Sequence, residues 1–402
     1  MEKITNNNIL QTLSTPCYVI DLNRFDENVN NIKSEFINEW GLNIILGYSV
    51  KTNHLPFLLK YARINGFLAE VVSGDEYNHV ISQGYEPNQI IYNGPQKDHK
   101  TLLRALNEGS IVNIDNFQDI KVIEENLKHI NKDKCIIGIR VNFDLESVWE
   151  GETTSEDEVS RFGISIENGD FERVLSYLKK LECPVSGLHM HYSTKTRSQA
   201  VFKQLASKAA QLIKKYKMIN KIKFVDIGGG FWGGRKLPNK PTMQEYSKVI
   251  TQELNRVIST NEVQLILEPG ASILATAIDY LSKVINTRTI RETTIVTVDG
   301  SILHINPFMV KRKPDFSTNS QVRQKIKQQI ICGSTCMEND RLLYLYDYNE
   351  FSNGDIITFY NAGAYTMAYN SCFINCPPRI YVKDNNVYHQ VRDKSIEIMS
   401  KI

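Results

Sequence analysis

The stretch GYSVKTNHL, residues 47–55, closes an apolar run on Lys51. Lysine is rarely buried without a partner. The position is therefore either a solvated strand end or an amine held for chemistry, and such an amine can form a Schiff base with an aldehyde. HMH puts His189 and His191 on one face of an extended segment, since side chains alternate. The run Gly228, Gly229 and Gly230 leaves backbone N–H groups open to a phosphate, although glycines also simply turn a chain. Glu268 ends the apolar run QLILE, where a carboxylate could keep a heteroaromatic nitrogen protonated while a histidine stacks on the ring. Arg140 and Asn142 share the run CIIGIRVN, and Glu70 and Ser73 lie in and after FLAEVV. Singly, each has an ordinary structural reading.

What would position them is an alternation of element types. The predicted strands are NIILGYSV (43–50), FLAEVV (67–72), QIIYNG (89–94), SIVNID (110–115), CIIGIRVN (135–142), VSGLHMH (185–191), IKFVDIG (222–228) and QLILEP (264–269). Between them LPFLLKYARIN, HKTLLRALNEG and QAVFKQLASKAAQLIKKYKM carry apolar residues at helical spacing. Eight strands alternating with helices suit a closed (β/α)8 barrel, expected over residues 23–275; a doubly wound open sheet would also alternate. In such a barrel the residues above gather at the C-terminal rim of the strands. The long acidic segment 143–160 breaks the rhythm and is expected to cover one barrel mouth. After residue 275 strand-like runs follow one another without helices, so 276–402 reads as a mostly antiparallel β domain, joined by an early strand at 15–22.

With 47 basic and 45 acidic residues, the net charge of +2 gives no reason to expect nucleic acid or an anionic membrane as partner. The first ten residues lack the apolar core of a signal peptide, and no apolar stretch approaches a bilayer span. Seven cysteines, an odd count, then suggest reduced thiols and a cytoplasmic protein. Cys332/Cys336 and Cys372/Cys376 repeat one spacing that zinc could use, but their gaps and flanks are unlike most structural zinc motifs, and no metal is expected.

An aldehyde-binding amine, a phosphate cradle and a ring-nitrogen carboxylate together describe pyridoxal 5′-phosphate. Here the chain resembles a known group: the pyridoxal-phosphate-dependent decarboxylases of the alanine racemase-like fold, which act on diaminopimelate, ornithine or arginine, and carboxynorspermidine. The resemblance runs from about residue 15 to 385 and rests on motifs in order. YSVKTN looks like Y-A-x-K-A/T-N, which implies Lys51 as the Schiff-base lysine. EVVSGDE looks like D-V-V-S-x-x-E, with Glu70 where the usual residue is Asp. RFGIS (161–165) resembles the family's K-F-G segment, and VDIGGGF (225–231) its phosphate loop, with Gly229 and Gly230 as cofactor contacts. GLHMHYST is similar to G-L-H-x-H-I-G-S, implying His191 against the ring and Thr194 at the phosphate. EPG (268–270) implies Glu268 at the pyridinium nitrogen, with Gly270 beside it. GSTC (333–336) resembles G-P-x-C, whose cysteine reaches the partner subunit's site, and NAGAYT (361–366) brings Tyr365 to the phosphate. The resemblance implies catalytic Lys51, His191 and Cys336, with Cys336 returning a proton to the substrate's α-carbon, in a homodimer with shared sites.

The departures concern substrate. The arginine of E-P-G-R is Ala271, that of a later R-P pair is Asn306, and the acidic residue after the cysteine is Met337. Ser193 stands where the family has glycine, and Glu338, Arg341 and His304 are the candidates to replace the missing charges. The expected substrate is an amino acid or conjugate other than diaminopimelate. The alternatives are a diaminopimelate-type or ornithine/lysine decarboxylase, an amino-acid racemase on the same barrel, and a non-catalytic binding homologue.

Overall fold

The computed structural model describes residues 12–154, 158–234, 237–369 and 372–396. Its strands in chain order begin with β1 (Cys17–Asp21), β2 (Ile44–Ser49), β3 (Leu68–Val71), β4 (Ile90–Tyr92), β5 (Ile111–Ile114) and β6 (Ile136–Asn142). There follow β7 (Ile164–Ser165), β8 (Val185–His189), β9 (Phe224–Asp226) and β10 (Gln264–Leu267). The rest are β11 (Ile278–Ile290), β12 (Thr293–Val298), β13 (Phe316–Thr318), β14 (Lys325–Cys332), β15 (Arg341–Asn349), β16 (Ile356–Phe359), β17 (Arg379–Asp384) and β18 (Val387–Arg392). They belong to two compact units, one spanning 30–272 and the other combining the chain up to 29 with the chain from 273.

The first unit is a closed parallel barrel. Its strands run β5-β4-β3-β2-β10-β9-β8-β6, with β6 pairing back onto β5, and the two-residue β7 adds to the edge of β6. All eight barrel strands found in the sequence are present, so the open-sheet alternative falls. Inside, Ile91, Ile111, Phe224 and Ile266 form an apolar plug. Two glycines make room for the Phe224 ring: a Cβ on Gly187 would lie 2.2 Å from it, and one on Gly138 2.9 Å. Local chemistry starts and stops the outer helices. Ser73 accepts a hydrogen bond from Glu76 N ahead of Gly74–Ser82, and Asp98 accepts one from Thr101 N ahead of His99–Glu108. Gly109, in the left-handed conformation, ends the second of these. Thr242 and Glu245 form a capping box before Met243–Leu254.

The second unit is a nine-stranded sheet, mostly antiparallel. β1 lies in its middle, antiparallel to β11 and parallel to β17, and all five of its residues are buried. The turn between β17 and β18 is a two-residue hairpin in which Asn385 and Asn386 both adopt positive φ, 45° and 64°. One expectation needs correction, that DIITFYNAGAY (355–365) is strand throughout. β16 stops at Phe359 instead of running on to Tyr365, because Asn361 and Tyr365 take left-handed backbone (both φ 60°) and leave the ladder. β13, in the polar stretch DFSTN, pairs antiparallel with β16. β12 and β14 pair in parallel, as β1 and β17 do, within a sheet whose other pairs are antiparallel. Among the described residues no helix is long and apolar enough to cross a membrane.

Candidate active site

The polar residues that interrupt the apolar barrel strands lie at their C-terminal ends. Lys51 sits in the short 3-10 turn Val50–Thr52 directly after β2, and its ammonium pairs with Glu70 on β3. Ser49 Oγ donates to the same Glu70 oxygen at 2.7 Å. Asn93, just past β4, donates from Nδ2 to Glu70 Oε1 (3.1 Å) and to Glu268 Oε1 (2.6 Å). Asn113 on β5 donates to Asn93 Oδ1 at 2.8 Å. Arg140 on β6 reaches Asp115 at 3.3 Å, and its guanidinium lies 4.5 Å over the Phe162 ring. His189 on β8 approaches Glu268 at 3.5 Å and stacks on His191, with ring centroids 6.1 Å apart.

Burial sets the charges here. Burial, followed by the facing Glu268 carboxylate, pushes Asp226 well above the ordinary carboxylate range. Burial works against Glu268 too, but His189, and after it Lys51, outweigh it and hold this carboxylate ionised below its usual range. Burial first, then Arg140 and His189, pull His191 well below its ordinary value, so its imidazole is neutral.

Lys51, Glu70, Asn93, Arg140, His189, His191 and Glu268 share the wall of one cavity of about 530 Å³. Ser193 lines it as well, whereas Thr194 pairs with Thr153 in an isolated bridge. Thr153, Thr154 and residues 158–160, from the long acidic segment, line the same cavity. That segment is pinned by Glu146, which accepts from Gly151 N and Thr153 N, both at 2.6 Å. Gly228 to Gly230 follow β9: Gly229 N donates to His191 Nδ1 at 3.2 Å, and Asp226 accepts from Gly228 N at 2.8 Å. A Cβ on Gly270 would meet Thr52 Oγ1 at 2.2 Å, so the EPG turn packs against the Lys51 turn.

Cys336 and Tyr365 belong to the other unit. Cys336 is exposed and lines a second cavity, of about 470 Å³, with Arg288 and Arg341. Tyr365 holds left-handed backbone. No disulfide joins any of the seven cysteines, and the four with the repeated spacing form no metal-ligating cluster among the described residues. His304, a candidate replacement for the lost charges, is a buried structural group. Its Nδ1 bonds the Tyr280 hydroxyl at 2.6 Å, and burial brings its pKa down to about 3. Asn306 is likewise occupied, exchanging hydrogen bonds with Val310 at 2.8 and 3.2 Å.

Sequence reasoning missed Asn93, Asn113 and Asp226. The available signal was a polar residue inside an otherwise apolar strand, as in IIYN, IVNI and FVDI.

Residues 22–275 match the family model for the pyridoxal-binding domain of pyridoxal-dependent decarboxylases. Among curated relatives, the diaminopimelate decarboxylase of Aquifex aeolicus is 26% identical over 388 residues, 94% of this chain and 88% of its own. That of Bacillus subtilis is 25% identical over 410 residues, 98% and 92%. Among solved structures, diaminopimelate decarboxylase from Helicobacter pylori complexed with L-lysine superposes with a TM-score of 0.83 at 21% identity, covering 98% of both chains. The lysine/ornithine decarboxylase of Vibrio vulnificus, complexed with cadaverine, gives a TM-score of 0.74 at 17% identity over 91% of both. The match covers well over half the chain, on the barrel whose rim has just been described, and the chain therefore belongs to the pyridoxal-dependent decarboxylases.

Proposed function

We propose that the chain decarboxylates an amino acid or amino-acid conjugate other than diaminopimelate, as a homodimer in the cytoplasm, with pyridoxal 5′-phosphate held at the barrel rim. The observation that carries the reading is one cavity whose wall holds a lysine amine, a buried ionised carboxylate and a neutral histidine: Lys51, Glu268 and His191.

The residues present fit the cofactor. Both ring nitrogens of His189 and one oxygen of Asp226 are buried without a hydrogen bond, a polar interior that suits a polar ring. The glycine loop tolerates no side chains: a Cβ on Gly228 would sit 2.7 Å from His191 Cβ, and one on Gly229 2.4 Å from Glu268 O. When bound, pyridoxal phosphate supplies an aldehyde for an amine and a ring that takes up the electrons left as CO2 departs. Lys51 is the residue that would hold it covalently, and Glu268 would keep the ring nitrogen's proton in place. A neutral His191 would cover the ring face without adding a competing charge. The backbone of Gly229, Gly230 and Gly270, with Thr194 and Tyr365, would hold the phosphate. Arg140 is the cation on the cavity wall available to a substrate carboxylate. Cys336 would return a proton to the α-carbon in the site of a second copy, and its exposed thiol supports that role. Seven cysteines without a disulfide suit a reducing compartment.

The absence of charge at Ala271, Met337 and the self-bonded Asn306 supports a substrate other than diaminopimelate. An unpaired distal charge costs roughly 3–5 kcal/mol when one partner of a buried pair is missing. Turnover of meso-diaminopimelate, ornithine and lysine is then expected ~100-fold or more below the best substrate. The second reading, a diaminopimelate decarboxylase, is favoured by the names of the relatives. CO2 release from a panel of D- and L-amino acids and conjugates decides between them. Decarboxylation of meso-diaminopimelate with kcat/KM of ~10⁴ M⁻¹s⁻¹ or above would overturn the first reading.

A further inference from the structure

We infer that Asn93 is a positioning residue of this site: its side-chain amide stands between Glu70 and Glu268, donates to both, and leaves the other oxygen of each aimed at its own partner. The inference rests on the reading above of Lys51 and Glu268 as the residues that hold the cofactor.

Three buried side chains make the arrangement. Glu70, Asn93 and Glu268 are 1%, 2% and 3% exposed. Asn93 Nδ2 has two N–H bonds, and each meets one carboxylate, Glu70 Oε1 at 3.1 Å and Glu268 Oε1 at 2.6 Å. The amide has only one workable orientation. Turned over, its oxygen would face both carboxylates, and its NH2 would face the NH2 of Asn113. The backbone fixes where the side chain starts. Asn93 N donates to Val71 O at 2.8 Å, and Gly94 follows with φ +95°, where a Cβ would lie 2.3 Å from Val72 O. Asn113 in turn needs the bare Gly138 beside it, since a Cβ there would fall 2.0 Å from its Oδ1.

Two buried carboxylates side by side need donors to hold them apart. Asn93 supplies each with a donor. Glu70 keeps its other oxygen for Lys51 and Ser49, and Glu268 keeps its other oxygen toward His189. The amide therefore ties the anion beside the lysine to the anion meant for the ring nitrogen.

The test compares Asn93→Asp and Asn93→Leu with the wild type in the full-length protein. The readouts are the dissociation constant of pyridoxal phosphate by absorbance titration, its pH dependence from 5.5 to 9, and borohydride trapping on Lys51. Asp has nearly the shape of Asn but no donor until a proton arrives. Asn93→Asp should bind the cofactor ~30-fold or more weakly at high pH, the scale of one lost hydrogen bond to a charged group, and recover part of that near pH 5.5, where a protonated Asp offers one donor in place of two. Asn93→Leu, which offers no donor at any pH, should lose affinity by at least that factor at high pH and recover less than Asn93→Asp as pH falls. Affinities of both variants within ~3-fold of wild type at high pH, or equal pH-independent losses in the two, would show that Asn93 only fills space. If neither variant folds, Asn113→Ala carries the test, with an expected ~3- to 10-fold loss that shrinks as pH falls; an unchanged affinity there overturns the inference. A wild type that cannot be trapped on Lys51 would overturn the functional reading and this inference with it, whereas normal trapping with unaffected variants overturns this inference alone.

Discussion

Lys97 offers the clearest quantitative test of how the barrel rim is held. Its side chain is fully covered, and its ammonium meets Asp119 at 2.8 Å, a carboxylate only 4% exposed. The same ammonium donates to Gly94 O at 2.9 Å, one residue past Asn93, and Asp119 also accepts from Asp115 N at 2.9 Å. The pair thus ties the chain leaving β4 to the chain leaving β5. Lys97→Met would strand a buried carboxylate, at a cost of ~3–5 kcal/mol, and Asp119→Asn would strand a buried ammonium at a similar cost. The double variant strands neither. It loses mainly the hydrogen bond to Gly94 O and is expected to cost ~1–3 kcal/mol, so the two singles should overshoot the double by about 5 kcal/mol. Urea unfolding followed by tryptophan fluorescence reads the barrel specifically, because Trp40, Trp149 and Trp232 all lie between residues 30 and 272. With an m-value of ~3 kcal/mol/M, Lys97→Met should lower the midpoint by about 1–1.7 M. A shift below about 0.3 M, or a double variant equal to the sum of the singles, would refute the argument, as no desolvated charge pair would then be present.

Glu76, pushed up to about 7 by burial, should make the barrel lose stability as pH rises from ~4.5 through ~7, because the folded protein favours the protonated form. Glu76→Gln should flatten that part of the profile, seen as a gain in urea midpoint over wild type at pH 8 that is absent at pH 4.5. Gly187→Ala should destabilise the barrel by ~1–3 kcal/mol through its clash with the rigid Phe224 ring, whereas Gly66→Ala, at an open position, should show only the smaller cost of its φ of +81°. Mixing Lys51→Ala with Cys336→Ala should restore part of the CO2-releasing activity that each lacks, since one site of a mixed dimer keeps both groups. No recovery under conditions proven to exchange subunits would place both groups of a site in one chain.

The barrel was legible because its signals are local. Short β-branched runs closed by polar or glycine residues recur eight times, and each became a strand within a few residues of its expected ends. VSGLHMH stops at His189 and IKFVDIG begins only at Phe224, although Met190 N still donates to Asp226 O and Lys223 N to Ser186 O across the same pair of strands. The second unit was less legible where pairing is non-local. β13 has no strand signal of its own, and the parallel partners of β1 and β12 lie 362 and 35 residues away (Cys17 with Arg379, Thr294 with Gln329). Asn361 and Tyr365 carry no turn signal strong enough to announce the positive φ that ends β16.

The candidate site divides along the same line. Lys51, His191 and Glu268 stand out as chemical types at strand ends. Asn93 does not, because Asn-Gly after an apolar run reads first as a turn. Its role exists only once Glu70 and Glu268, 23 and 175 residues away, are brought beside it. The visible departure from the family pattern was Glu70 in place of aspartate, and the structure gives that extra methylene a physical reason. One Glu70 oxygen serves Ser49 and Lys51, at the end of the neighbouring strand β2, while the other reaches Asn93, just past the opposite neighbour β4. A shorter acid on the same backbone would have to give up one of those ends. The substitution legible in the sequence and the bridging amide that was not are therefore two halves of one arrangement, and a change at either position should be felt at both carboxylates.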